Sequence, residues 1–172
     1  MATWNSTEMT NLLAASPTLT SVAQWGGRLR VVGGAFEMDA SVAAADVIRL
    51  ARLPVNARIW KMEFGCDNLG AALTADVGLY QTNGTVLDAN EFATALILDS
   101  MVYSPSDVIG TETAEIVYQP DVTDIDANGK ALWARAGVAA DPGGDYDVCL
   151  TVVTETTAVA GTIAWTIYYT VD

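Results

Sequence analysis

One ten-residue stretch constrains the fold more than any other feature of the chain. Ile163, Trp165, Ile167, Tyr169 and Val171 alternate without a break against Thr162, Ala164, Thr166, Tyr168 and Thr170. Side chains of a β-strand point to opposite faces in turn, so this period of two predicts a strand with one face in a core. The same pattern recurs upstream. Tyr146, Val148, Leu150 and Val152 alternate with Asp147, Cys149, Thr151 and Val153, and Ala75, Val77 and Leu79 with Thr74, Asp76, Gly78 and Tyr80. Trp60, Met62, Phe64 and Cys66 form a further apolar row against Ile59, Lys61, Glu63 and Gly65. Weaker strand candidates lie at 28–37, 46–53, 112–118 and 130–137.

Turn residues punctuate these segments. Pro54-Val55-Asn56 separates two strands, Asn83-Gly84 and Asn128-Gly129 read as tight hairpins, and Pro142-Gly143 as a turn. The segment 90–98 departs from the pattern, because Glu91, Phe92, Ala93, Ala95 and Leu96 suit a short helical crossover. About eight strands with one long connection predict an all-β protein, an antiparallel β-sandwich of jelly-roll type. With no internal repeat or low-complexity linker, residues 28–172 form one domain.

Residues 1–27 read differently, as an N-terminal arm. Asn5 followed by Glu8 resembles a capping box that opens a short helix carrying Met9, Leu12 and Leu13 on one side. Pro17 and Gly26-Gly27 then interrupt regular structure. Trp4, Met9, Leu12, Leu13 and Trp25 are the arm's apolar anchors and its candidate interface residues. The arm carries neither the basic residue nor the apolar run of a secretory signal.

Function is narrowed mainly by what the 172 residues lack. There is no histidine, which removes Ser-His-Asp and Cys-His nucleophile systems and histidine acid–base work. No glycine-rich phosphate loop is present, since neither Gly26-Gly27 nor Gly33-Gly34 is followed by the lysine and helix such a loop needs. The net charge of −13 disfavours phosphate backbones and anionic headgroups, so nucleic-acid and membrane-surface binding are not expected. Charged residues make up only 17% of the chain, less than a free monomer's surface usually carries, which implies apolar surface buried against partners. Cys66 and Cys149 read as two small buried hydrophobes rather than a disulfide framework, with their pairing left open.

Three local constellations remain. Asp124-x-Asp126-x-Asn128-Gly129 matches the first half of a calcium loop, but Arg135 stands where the bidentate glutamate belongs, so the loop is a weak metal candidate and no cofactor is expected. A carboxylate pair of glycosidase type is chemically open to any acidic β-protein, yet most acids here fall at turns or outward positions, and the chain is not expected to be an enzyme. Tyr80, Trp133 and Tyr168 lie opposite the apolar faces of their strands, where they suit a subunit interface better than a sugar-stacking platform.

The stretch from Asp46 to Tyr80, DVIRLARLPVNARIWKMEFGCDNLGAALTADVGLY, resembles a segment of small tailed-bacteriophage virion structural proteins. The shared pattern runs through Asp46-Val47-Ile48-Arg49-Leu50, Leu53-Pro54, Ala57-Arg58-Ile59, the turn Asn68-Leu69-Gly70, and Ala75 to Tyr80. It covers about a fifth of the chain and carries no catalytic residue. The resemblance implies a capsid decoration (cement) protein in the virion, bound to the major capsid protein or other virion proteins. It also implies a homo-oligomer, with a trimer favoured. A carbohydrate- or receptor-binding β-sandwich of a tail or fibre is the alternative.

Overall fold

A computed structural model describes residues 10, 13–17, 27–70, 73–98, 115–118, 129–154 and 159–171. Among them, eight strands follow one another: β1 (Arg30–Met38), β2 (Val47–Pro54), β3 (Ala57–Cys66), β4 (Thr74–Gln81), β5 (Val86–Ile97), β6 (Glu115–Tyr118), β7 (Asp145–Thr154) and β8 (Gly161–Val171). A single helical turn, α1 (Leu132–Arg135), precedes β7. The strands divide into two four-stranded sheets ordered β1-β8-β3-β6 and β2-β7-β4-β5, and neighbours are antiparallel throughout. This is the strand order of a jelly roll, in which two Greek keys wind the chain back and forth between facing sheets.

The alternating rows meet between the sheets. Ile163 and Ile167 of β8, Val148 and Leu150 of β7, Val77 and Leu79 of β4, and Met62 and Phe64 of β3 are all removed from solvent. On β3 the predicted row holds for Met62, Phe64 and Cys66 but not for Trp60. A register shift between Ile59 and Lys61 inserts an extra residue opposite β8, so Ile59 joins Met62 and Phe64 in the core. Trp60 is turned out of that row, and its indole N–H donates to Thr170 Oγ1 at 2.9 Å.

Two expectations are overturned. Residues 90–98 are not a helical crossover: 90–97 belong to β5, the edge strand beside β4. Six residues on β5, from Asp88 to Ala93, accompany only three on β4, from Val77 to Leu79. The surplus backbone bows over Gly78, where an added Cβ would lie 2.1 Å from the Asp88 carbonyl oxygen. Bulges of this kind shift apolar residues out of strict alternation and mimic a helical period. Conversely, the strand candidate at 130–137 is α1. Gly129 and Gly137, with φ of 70° and 72°, bracket the turn in left-handed conformations. Leu132 fills the core from it, and the Ala136 N–H donates back to the Leu132 carbonyl at 2.9 Å.

The predicted turn at Asn83-Gly84 forms as expected. Gly84 adopts φ 92°, its N–H donates to the Gln81 carbonyl at 2.8 Å, and Asn83 Oδ1 accepts from the Thr85 N–H at 2.9 Å. Gly143 and Gly144 likewise take positive φ just before β7. No helix among the described residues is long and apolar enough to cross a membrane.

Candidate functional site

The outer face of the β1-β8-β3-β6 sheet presents the best-formed depression. Residues in register across three strands border it: Gly33 beside Thr166, and Ala164 beside Gly65. Together with Gly34, Glu63, Phe64 and Trp165 they enclose about 230 Å³. Gly34 is required by packing, because a Cβ there would sit 2.9 Å from the Trp165 ring. The Trp165 indole N–H is buried, with no hydrogen-bond partner among the described residues.

Glu63 borders this depression and is held on both oxygens. Lys61 Nζ lies 2.5 Å from Oε1, and the Tyr168 hydroxyl donates to Oε2 at 2.9 Å. The hydrogen bond from Lys61, followed by that from Tyr168, holds the Glu63 carboxyl below its ordinary range against the opposing effect of burial. Lys61 also lies 5.6 Å from the Tyr168 ring centroid, within cation–π range. Tyr168 therefore faces outward as predicted, but as part of an ion-paired cluster.

The opposite sheet carries a second cluster. Asp147, only 2% exposed, accepts two hydrogen bonds from Arg52, Nε to Oδ1 at 2.7 Å and Nη2 to Oδ2 at 3.0 Å. Arg49 Nη1 stands 3.7 Å from the same carboxylate. Residues 49–52 and Asp147 border an open hollow of about 380 Å³. Cys149, two residues along β7, is fully buried, and desolvation with the neighbouring Asp147 charge pushes its thiol up to about 12. Cys66 and Cys149 are both buried and form no disulfide with each other, and at neutral pH Cys149 is the protonated, unreactive form.

A third cluster joins α1 to the sheet edges. Arg135 Nη1 donates to Glu91 Oε1 at 2.6 Å and Nη2 to the Tyr118 hydroxyl. The guanidinium carbon lies 5.1 Å from the Tyr118 ring and 5.6 Å from Phe92, and those rings meet edge-on at 5.1 Å. The residue that occupies the glutamate position of the calcium-like loop is thus a buried strut between β5, β6 and α1. Asp124, Asp126 and Asn128 lie outside the described residues. Among the described residues, no three His, Cys, Asp or Glu side chains converge on a metal-sized site.

The remaining candidates divide plainly. Tyr80 is 3% exposed and its hydroxyl shares a 2.5 Å hydrogen bond with Thr151, so its ring offers no surface to a partner. Trp133 sits on α1, half-buried against the core, with its backbone N–H donating to the Val55 carbonyl at 3.0 Å. Leu13 is 64% exposed, while Trp4, Met9, Leu12 and Trp25 lie outside the described residues. Sequence reading passed over the Arg52–Asp147 and Arg135–Glu91 pairs, whose partners stand 95 and 44 residues apart.

It also passed over the free edge of β1. Among the described residues that strand hydrogen-bonds only β8, and it pairs with it from Arg30↔Tyr169 to Met38↔Gly161 without a register shift. Val31 is 57% exposed and Phe36 38%, and Leu29 just ahead of the strand is also exposed.

No protein-family profile matches the chain, and no curated protein matches it in sequence. Solved structures do match in shape. A chain of the capsid asymmetric unit of cyanophage Pam1 superposes with a TM-score of 0.51 at 17% identity, covering 100% of both chains. A chain from the capsid of Ralstonia phage GP4 gives 0.47 at 22% identity over 85% of this chain and 86% of the other. One from the Helicobacter pylori bacteriophage KHP30 capsid gives 0.38 at 15% identity over 82% and 86%. At these identities the likeness to the cyanophage chain is one of fold: an antiparallel β-sandwich matched from end to end.

Proposed function

We propose that the protein is a structural component of a phage virion, a decoration protein that binds the outer surface of the assembled head as a homo-oligomer. The observation that carries the reading is the end-to-end fold match to a chain of a cyanophage capsid asymmetric unit. The segment from Asp46 to Tyr80 points the same way independently, through its resemblance to small virion proteins. Within this reading the protein acts by binding rather than turnover. The carboxylates that reach the structured surface clusters, Glu63, Asp147 and Glu91, each face a cation, which suits a rigid scaffold. A protein that binds only the assembled shell stabilises that shell by mass action. A charge of −13 keeps the unbound protein soluble and away from packaged DNA.

Quantitative mass spectrometry of purified parent particles tests this. A copy number of the same order as the major capsid protein is expected. A handful of copies per particle would move the protein to the neck or tail, and complete absence would sink the virion reading and favour a glycan- or receptor-binding role.

A further inference from the structure

We propose that the free edge of β1 is a strand-pairing surface for a second copy of this chain, joined antiparallel about a two-fold axis so that two β1-β8-β3-β6 sheets become one continuous sheet. This deepens the homo-oligomer within the proposed function and does not depend on which particle carries it. A sheet edge exposes unpaired backbone N–H and C=O groups, and proteins usually blunt such edges with bulges, prolines, charges or brevity. Among the described residues, three of the four sheet edges are blunted in those ways. β2 has a register shift between Arg49 and Ala51, two arginines and Pro54. β5 has three register shifts and Ala95 in a left-handed conformation. β6 is four residues long. β1 has no bulge, no proline and no brevity, and its two charges, Arg30 and Glu37, stand near its ends: nine residues, RVVGGAFEM, paired with β8 without a register shift and exposed along most of their length.

The strand's own side chains select the occupant and its direction. A two-fold axis perpendicular to the sheet keeps each face continuous, so residues of equal parity stand opposite one another. With Gly34 on the axis, Val32 faces Phe36 of the second copy, Gly33 faces Ala35, Val31 faces Glu37, and Arg30 faces Met38. The Val–Phe pairs are of a kind that stabilises cross-strand contacts. Glycine and alanine at the centre let the two backbones approach without steric conflict. The two charges of β1, Arg30 and Glu37, sit near opposite ends, so antiparallel pairing brings Arg30 of one copy to the end that carries Glu37 of the other. Parallel pairing would set like charges side by side. On β2, by contrast, self-pairing would crowd Arg49 and Arg52 against their copies. An isologous contact closes as a dimer, whereas a trimer would need a different, heterologous surface.

Sedimentation velocity on the full chain across a wide concentration range, with hydrogen exchange on the same samples, tests the pairing. The wild type should form a dimer in which alternate amides of residues 30–38 exchange more slowly than in the monomer. Ala35→Lys places two lysines diagonally across the axis at an exposed position, and should weaken dimerisation by about tenfold or more, with an unchanged thermal midpoint at concentrations where both proteins are monomeric. Ala35→Ser should leave the dimer intact. A wild type that is monomeric at every concentration would overturn the proposal. So would a trimer, an Ala35→Lys dimer of undiminished affinity, or a monomer whose free-edge amides are already protected by its own chain. None of these outcomes bears on the copy number in particles, so this proposal and the virion reading fail separately.

Discussion

Asp147 shows how single residues on this scaffold are matched to their surroundings. A carboxylate removed from water is costly unless its lone pairs are met by donors, and Arg52 meets both oxygens at once. Arg49 stands farther off and contributes at longer range. Both guanidiniums are about half-exposed, so the stability at stake is that of the buried partner, not of the arginines. Arg52→Ala should therefore clearly destabilise the fold, because it leaves the buried Asp147 carboxylate without its two-pronged partner. Arg49→Ala should cost less than about 1 kcal/mol. Urea unfolding of the two variants checks the order, and equal losses would contradict it. Glu63 offers a test through pH. Its carboxyl is held below the ordinary 4.5 in the folded protein, so the unfolded chain takes up a proton first as acid is added. The stability it contributes is complete above pH 4.5 and is lost as pH falls through the lower folded value. Glu63→Gln should flatten that part of the stability profile below pH 4.5 while leaving neutral pH nearly level in slope, as measured by urea midpoints at a series of pH values.

At the scale of elements, β5 is the strand whose form depends most on its neighbour. Its surplus residues bow over β4 because Gly78 leaves room for the Asp88–Ala89 backbone. The atoms in the way are main chain, which cannot swing aside as a side chain would. Gly78→Ala should cost about 3 kcal/mol or more, or prevent folding, and differential scanning calorimetry would register it. The reason is space rather than backbone conformation, so Gly78→Ser should be no better tolerated. The bow also explains why 90–98 resembles a helix in sequence. Phe92 is buried while Ala95 turns left-handed, so the apolar spacing records a series of bulges and not a helical face. α1 is the mirror case. Leu132 and Trp133 continue the look of a strand, yet glycines at 129 and 137 close the segment into one turn that Arg135 ties to Glu91 and Tyr118.

For the molecule as a whole, what could be read in advance and what could not divide along a physical line. The class of fold, the core rows of β4, β7 and β8, the hairpin at Asn83-Gly84 and the absence of imidazole chemistry were all settled by the amino-acid order. Alternation, turn chemistry and composition are properties of a strand or a turn taken alone, and they survive whatever that strand pairs with. Of the candidate interface residues, Tyr168 faces outward as its alternation implies, and Tyr80 does not reach the surface at all. Local alternation shows that a residue points away from one core row, but not whether something else covers it. The division into two sheets, the bulges on β3 and β5, the ion pairs that span 44 and 95 residues, and the place of β1 at a sheet edge were decided only by the tertiary structure. Each of these depends on contacts between residues far apart in the chain, and a period of two is the same whether a strand is paired on both sides or left free on one.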